Sequence, residues 1–243
     1  MKNINEISAK APDAFDKSET KELFDKLQKQ LFNLQNIFYA EGKYALLIVL
    51  QGMDTSGKDG IIRHVFSHVN PQGCDVKSFK IPTEEERSHD FLWRINANLP
   101  KKGMIQIFNR SHYEEILFPV VHKALNKIQI KERQTVINQF EEHLQKSNTI
   151  ILKFYLHISQ KEQETRLEDR LTRPEKKWKY NIADKKESKR WDAYMNAYQN
   201  IFDGCTKKNQ WIIVPSDQKW YRNFIVANTI VKTLKGLKMK YPE

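Results

Sequence analysis

The segment YALLIVLQGMDTSGKDGIIRHVFSHV, residues 44–69, joins three different local patterns. Its first part, residues 44–51, is a nearly continuous apolar run, as expected of a strand whose sheet is covered by helices on both faces. The loop GMDTSGKDG follows at residues 52–60, and the remainder has the spacing of a helix. A strand, a glycine-containing loop and a helix in this order predict a loop that binds phosphate.

The residues of this loop suit an anionic ligand. Glycines let the backbone curl so that its N–H groups face inward, the helix dipole adds positive potential, and Lys58 can neutralise phosphate charge. Asp59 stands where the usual motif has Ser or Thr, and Asp54 would repel phosphate unless a divalent cation lay between them. Asp54 is therefore a predicted metal ligand, the alternative being a surface turn with incidental charges. The loop residues predicted to contact phosphate are Gly52, Met53, Thr55, Ser56, Gly57, Lys58 and Asp59.

The rest of the chain alternates strand and helix patterns, which predicts an α/β fold with a parallel sheet. An amphipathic helix is expected over residues 17–40, within an N-terminal helical extension of about 1–42. The remaining predicted strands are CDVKSF from Cys74, MIQIFN from Met104, TIILKFYLH from Thr149 and WIIV from Trp211. Residues 170–179, RLTRPEKKWK, predict a mobile basic lid within about 163–190 of a single domain, 1–243.

Composition limits the class of protein. The 243 residues carry 41 Lys and Arg against 30 Asp and Glu, a formal charge of +11 that favours polyanionic partners. Alternatively, these basic residues only keep the surface soluble. No apolar run reaches the roughly 20 residues of a membrane span, and the N-terminus lacks a signal-peptide pattern, so a cytoplasmic protein is expected. Cys74 and Cys205 are predicted to be ordinary packed thiols.

A second polar segment, NRSHYEE at residues 109–115, directly follows a predicted strand. Ligands of open α/β sheets bind at this carboxyl edge. Arg110 could bind phosphate oxygens, and Glu114 or Glu115 could hold magnesium. The alternative for both acids is a solvated first helical turn, which the helix dipole also favours. The residues alone thus predict a phosphotransferase.

Seven short motifs occur along the chain. In chain order they are GMDTSGKDG at Gly52, NPQG at Asn70, FKIPTEEE at Phe79, HDFLWR at His89, FNRSHYEEIL at Phe108, RPEKKWKY at Arg173 and PSDQKWYRN at Pro215. With these motifs the sequence resembles the family-2 polyphosphate kinases, and the resemblance runs from about Leu23 to Leu237.

The resemblance implies a P-loop kinase-like, three-layer α/β/α fold with a central parallel five-stranded sheet and a helical lid. It implies reversible phosphoryl transfer between inorganic polyphosphate and AMP, ADP or ATP, with guanine nucleotides as further substrates. Mg²⁺, or Mn²⁺ in its place, would be the cofactor, and the chain would form a homo-oligomer, a dimer or tetramer. The implied catalytic residues are Asp54, Lys58, Arg110 and Glu115, and Arg166, Arg170, Arg173 and Lys176 in or beside the lid would contact phosphates.

The chain departs from the family pattern at Asn109, where many members carry Asp. Asparagine binds magnesium much more weakly than aspartate, so a nearby acid is expected to compensate. Glu115 is the first candidate and Glu114 the second. The FNRSHYE form resembles the subgroup that phosphorylates both nucleoside mono- and diphosphates.

Two other residues are weaker candidates. Lys80 could line the anionic channel, and Trp178 could stack on a nucleobase; a solvated lysine and a packed aromatic are the alternatives. Two other functions are open. An ATP-dependent nucleoside monophosphate kinase would share the loop and lid, and a nucleic-acid-binding P-loop protein would explain the charge, although no recognised nucleic-acid motif is present. Neither a membrane nor a nucleic acid is an expected partner.

Overall fold

A computed structural model describes residues 3–204, 206 and 210–243, so Cys205 lies outside the described residues. Five strands are present among them: β1 (Ala45–Gln51), β2 (Cys74–Ser78), β3 (Ile105–Asn109), β4 (Thr149–His157) and β5 (Trp211–Pro215). The helices are α1 (Lys17–Glu41), α2 (Lys58–Val65), α3 (Glu84–Ser88), α4 (Trp93–Asn96), α5 (Glu114–Val121), α6 (Lys127–Lys146), α7 (Gln160–Thr172), α8 (Pro174–Lys177), α9 (Ile182–Ser188), α10 (Trp191–Gly204) and α11 (Lys219–Gly236).

The strands form one parallel sheet with the order β2-β3-β1-β4-β5. The sequence-based prediction of an α/β fold with five parallel strands is confirmed. The predicted N-terminal helix is also present as α1.

Helices cover both faces of the sheet because alternate residues of each strand point to opposite sides. In β1, Leu46, Ile48 and Leu50 pack with apolar residues of α1, α2 and α11. Leu47 and Val49 pack on the other side, with residues of α5, α6 and α10. The result is the expected three-layer arrangement. The proposed extension, 1–42, and lid, about 163–190, contain α1 and most of α7–α9 respectively; their status as separate units stays a prediction.

Two smaller expectations concern composition. Among the described residues, no helix combines the length and apolarity needed to cross a membrane. Cys74 is a half-buried free thiol, and burial followed by the nearby Asp75 raises its pKa to about 12. This placement agrees with a packed, unreactive cysteine.

Candidate phosphate-binding site

Two neighbouring strands bring the predicted site together. β1 and β3 are paired in parallel with Leu50 opposite Asn109, so the loop after β1 and the turn after β3 begin side by side. The backbone N–H of Arg110 donates to the carbonyl oxygen of Leu50 at 3.0 Å. Arg110 has a φ of +64°, an unfavourable value for a residue with a side chain. This backbone angle turns the chain at the sheet edge, and the hydrogen bond to Leu50 O keeps Arg110 beside the loop.

The loop itself joins β1 to the N-terminus of α2. Gly57 caps that helix with a φ of +106°, which glycine adopts without penalty, and no side chain caps the first helical N–H groups. The helix N-terminus therefore keeps backbone donors and a positive dipole end available to an anion. Ser56 N–H donates to Met53 O at 3.1 Å and closes the turn in front of it.

Lys58 is buried at the start of α2 and folds back across the loop. Its Nζ donates to the carbonyl oxygens of Gly52 at 2.7 Å and Met53 at 3.2 Å. Burial, followed by the nearby Arg110, lowers the pKa of Lys58 to about 8, although Asp54 and Glu114 act in the opposite direction. Lys58 thus places an incompletely compensated cation against the loop backbone.

Asp54 and Arg110 form an ion pair across the site. Arg110 Nη2 lies 2.8 Å from Asp54 Oδ1. Burial alone would raise the pKa of Asp54, but Lys58 and Arg110 together lower it, so the carboxylate is ionised at neutral pH. Burial would lower the pKa of Arg110, yet Glu114 and Asp54 raise it further above its ordinary value. Asp54, Lys58 and Arg110, which the sequence assigned to one site, therefore lie together in space.

The two glutamates at the start of α5 have different surroundings. Glu114 interacts electrostatically with Arg110 and Lys58, and burial raises its pKa against their influence. Glu115 instead lies 2.9 Å from Arg94 Nη2 and 3.7 Å from Arg133 Nη1. Two arginines thus hold Glu115 while Glu114 lies nearer the cations of the loop, and the choice of Glu115 as the first magnesium ligand stays a prediction. Adjacent residues of a helix point about 100° apart, so only one can face the loop.

The two unusual positions of the sequence contact each other. Asn109 Nδ2 donates to Asp59 Oδ1 at 2.9 Å, and Asp59 Oδ2 accepts from Lys179 Nζ at 2.9 Å. Although burial alone would raise the pKa of Asp59, the hydrogen bonds from Lys179 and Asn109 lower it. Asp59 therefore links β3 to the proposed lid, and it accepts from both neighbours.

Arg166 supports the loop through its backbone. Its guanidinium donates to the carbonyl oxygens of Thr55 at 2.9 Å, Ser216 at 2.9 Å and Asp217 at 2.8 Å, and it also pairs with Glu162. A guanidinium occupied by carbonyl groups has little capacity left for a ligand. Arg166 thus positions the loop, and its direct contact with phosphate stays a prediction.

The other predicted phosphate-binding residues of the proposed lid, Arg170, Arg173 and Lys176, are paired with acids of the same segment. Arg170 Nη1 lies 2.6 Å from Asp184 Oδ2, and Asp169 pairs with Arg173 at 3.1 Å and with Lys176 at 2.6 Å. Only Arg170 among these lies near enough to Asp54 to influence its pKa. A bound polyanion would have to compete with these acids for the lid cations.

Lys80 and Trp178 occupy exposed positions. Lys80 follows β2 at the carboxyl edge of the sheet, and its carbonyl oxygen accepts from Arg94 Nη1 at 2.9 Å. Trp178 is 75% exposed, its indole N–H donates to Glu175 O, and Lys179 Nζ lies 4.9 Å from the ring centroid. Both side chains are free of the core, so ligand contact stays a prediction for each.

Several polar groups at the site were not anticipated. Arg222 is buried below the loop and donates to Ser56 O at 3.2 Å. Gln163 Nε2 donates to Asp54 O at 3.2 Å, and its Oε1 is among the buried oxygens that lack a partner in the described structure, together with Gln51 Oε1 and Thr55 Oγ1. Gln51 and Gln163 lie in ordinary strand and helix patterns, whereas Thr55 belongs to the predicted phosphate loop and Arg222 to the PSDQKWYRN motif.

A buried charge cluster beneath α5 was also not predicted from the sequence. Lys153 Nζ lies 2.7 Å from Glu141 Oε2 and donates to Tyr113 OH at 2.7 Å, and all three are buried. His112 is fully buried against Glu141 at 3.2 Å. The cluster fixes the residues just before Glu114 from behind the sheet edge.

Comparison with known proteins agrees with this geometry. The model of the family Polyphosphate kinase 2 matches residues 14–242. The chain is 45% identical over 218 residues to an AMP/ADP-polyphosphate phosphotransferase of Meiothermus ruber, covering 89% of this chain and 82% of that protein. It is 41% identical over 242 residues to an ADP-polyphosphate phosphotransferase of Rhodopseudomonas palustris, covering 93% and 84% respectively.

Comparison with solved structures supports the same family. A crystal structure of polyphosphate kinase 2 from Arthrobacter aurescens TC1 matches with a TM-score of 0.95 and 38% identity, covering 98% of this chain and 87% of that one. The five-stranded parallel sheet, the phosphate loop and the sequence identity thus point the same way, and the chain belongs to the polyphosphate kinase 2 family.

Proposed function

We propose that this chain transfers the terminal phosphoryl group of inorganic polyphosphate to AMP and ADP, and runs the reverse reaction from ATP. One juxtaposition carries the proposal: Lys58 and Arg110 lie with Asp54 and Glu114 at a phosphate loop. The similar proteins of Meiothermus ruber and Rhodopseudomonas palustris, named for AMP/ADP and ADP phosphotransfer with polyphosphate, support the substrate class.

Phosphoryl transfer needs positioning and charge neutralisation more than covalent participation by the protein. The terminal P–O–P bond of polyphosphate breaks as a nucleotide phosphate oxygen forms a new P–O bond, which leaves the polymer one unit shorter. In this proposal Lys58 and the N–H groups at the start of α2 hold the transferred group, while Arg110 stabilises its charge. The lid bases, Arg170 and Lys176, guide the polymer and help to exclude water.

The residues present fit a magnesium ion shared with substrate phosphates. Asp54 and Glu114 supply two carboxylates near each other, and the unpartnered oxygens of Gln51 and Thr55 add neutral donors. Among the described residues, no group of three or more His, Cys, Asp or Glu forms a metal cluster. Mg²⁺ commonly binds one or two carboxylates and completes its shell with phosphate and water. When bound, Mg²⁺ or Mn²⁺ would neutralise phosphate charge.

The test is a donor-exchange assay. Purified protein with Mg²⁺ and AMP or ADP receives either long-chain polyphosphate or ATP as the phosphoryl donor, and nucleotides are separated by anion-exchange chromatography. We expect ADP and ATP to form from AMP with polyphosphate as the only donor. Transfer that requires ATP as donor would favour the monophosphate kinase, and tight RNA binding without nucleotide turnover would favour the nucleic-acid-binding alternative.

The family resemblance extends the proposal to guanine nucleotides and to a homo-oligomer. The same assay with GMP and GDP tests the first extension, because only the base differs. Light scattering of the purified protein tests the second. A polyphosphate-dependent enzyme that rejects GMP and GDP, or that elutes as a monomer, would leave the main proposal intact and remove the corresponding extension.

A further inference from the structure

Arg222, in the first turn of α11, is a buried arginine directly beneath the phosphate loop. Only 2% of the residue is exposed. Its Nη1 donates to Ser56 O at 3.2 Å, while Nε and Nη2 donate to Asn223 Oδ1 at 3.2 and 2.9 Å. The guanidinium cannot reach a ligand in the solvent-facing part of the site, so any action on a ligand passes through the loop.

The loop is shaped to admit this guanidinium. A Cβ atom on Gly57 would lie 1.7 Å from Arg222 Nη1, and one on Gly60 would lie 2.9 Å from Nη2. Real Cβ atoms essentially never come within 3.0 Å of another heavy atom, so a side chain at either position would displace the guanidinium. The glycine at 57 is therefore required twice, by its backbone angle and by the arginine packed against it.

The charge of Arg222 is not compensated within the described structure. No carboxylate there forms an ion pair with it, and the charged groups that interact with it include two further cations, Arg166 and Lys219. Burial, followed by Arg166, lowers the pKa of Arg222 to about 10, so the side chain is still charged at neutral pH. A buried cation without a counter-ion destabilises the protein that holds it.

The hydrogen bond to Ser56 also sets the direction of the next N–H group. In a planar trans peptide the C=O and N–H bonds point in opposite directions. Because Ser56 O faces Arg222, the N–H of Gly57 is directed to the opposite side of the loop, at the start of α2. Arg222 thus orients one of the donors expected to face a phosphate.

We infer that Arg222 is a positioning residue whose fixed charge and bond to Ser56 O prepare the loop for phosphate, with the bound phosphate acting as its missing counter-ion. This inference rests on the proposed function, since it takes the loop as the phosphate site. It adds a buried cation that contributes to affinity without touching the substrate.

Calorimetric titration with tripolyphosphate at constant salt tests the inference. Arg222→Gln removes the charge and keeps a hydrogen-bond donor, and Arg222→Lys keeps the charge but lacks the guanidinium fork. We expect R222Q to bind tripolyphosphate about tenfold more weakly or worse, and R222K to stay within about threefold of wild type. Arg63→Gln, on the exposed side of α2, is the matched control for loss of one positive charge.

A merely structural role predicts a different pattern, because both variants lose the fork and would lose affinity alike. Equal losses in R222Q and R222K, or none in R222Q, would overturn the inference. If R222Q does not fold, R222K alone decides, and a tenfold loss in R222K counts against the inference. Failure of both variants to fold would make Arg222 a structural residue.

Lys58→Met separates this inference from the proposed site. If K58M binds tripolyphosphate as wild type does, the loop is not the phosphate site and the proposed function loses its basis. If K58M loses binding while R222Q keeps it, only the role assigned to Arg222 fails.

Discussion

Asn109 Nδ2 donates a hydrogen bond to Asp59 Oδ1 across 2.9 Å, so the two positions at which this chain departs from the expected motifs meet in space. An aspartate at 109 would place two carboxylates at about this separation. The amide instead donates to the acid, and Asp59 remains ionised and available to Lys179. The substitution at 109 is therefore matched to the acid at 59.

Asn109→Asp should make the stability of the protein depend on pH. Two carboxylates in contact raise the pKa of one of them above its value in the unfolded chain. A raised pKa favours the folded state at acidic pH, and that stability is lost as the pH rises through the raised pKa. We expect the substitution to lower the free energy of unfolding, relative to wild type, by about 1 kcal/mol more at pH 8 than at pH 4.5. Urea denaturation of N109D and wild type at the two pH values measures this difference.

The control for this prediction is Asn109→Ala, which removes the hydrogen bond without adding charge. Its loss of stability should be similar at the two pH values. If N109D and N109A show the same pH dependence, the contact between residues 59 and 109 does not control the ionisation of the pair.

Substitution of the two neighbouring glutamates should have separable effects. Glu114→Gln removes a carboxylate from the loop, so the Mg²⁺ concentration for half-maximal activity should rise about tenfold or more. Glu115→Gln weakens the contacts with Arg94 and Arg133 and should lower the free energy of unfolding by about 1–3 kcal/mol. Magnesium titrations and urea denaturation of both variants check this. A larger magnesium effect in E115Q than in E114Q would favour Glu115 as the magnesium ligand.

The low pKa of Lys58 predicts an alkaline limb in the rate profile. Because kcat/KM reports the ionisation of the free enzyme, its value for polyphosphate should fall as the pH rises through about 8. Phosphate binding raises the pKa of the lysine, so kcat should fall only at higher pH. In Lys58→Arg the guanidinium does not titrate in this range. The remaining kcat/KM of this variant should therefore not fall as the pH rises through about 8. An unchanged limb in K58R would assign it to another group.

The sequence predicted features that follow local patterns and missed those that depend on the third dimension. The strand at residues 44–51 and the helix at 17–40 were found because their apolar spacing is strong. The loop was placed correctly because β1, the loop and α2 are contiguous. The surroundings of Glu114 and Glu115 could not be told apart from the sequence, since they depend on which side of α5 meets the loop.

Buried charged residues were also not predictable from the sequence. Arg166 and Arg222 lie in helices where a charged residue ordinarily indicates a solvent-facing position. Their partners are backbone carbonyls of the loop, about 110 and 166 residues away in sequence, which no local pattern reveals. Glu141 and Lys153 are hidden for the same reason, because each becomes interpretable only when the other is placed beside it.

The contact between Lys179 and Asp59 should restrain the proposed lid. Exposed ion pairs contribute about 0.2–1 kcal/mol, so Lys179→Ala should speed amide hydrogen exchange over residues 173–188 by roughly two- to fivefold. Lys177→Ala, in the exposed last turn of α8, is the matched control and should leave exchange unchanged. Equal acceleration in both variants would show that the basic character of the segment matters and the pairing with Asp59 does not.

The role of the phosphate loop in phosphoryl transfer is tested by the activity of Lys58→Met with polyphosphate as the only donor. Wild type, K58M and the surface control Lys127→Met are compared for ATP formation from ADP, with melting temperatures measured alongside. We expect the kcat/KM of K58M to fall by about 100-fold or more while the variant remains folded. The control K127M should behave as wild type. Undiminished ATP formation by folded K58M would contradict the assignment of phosphoryl transfer to this loop.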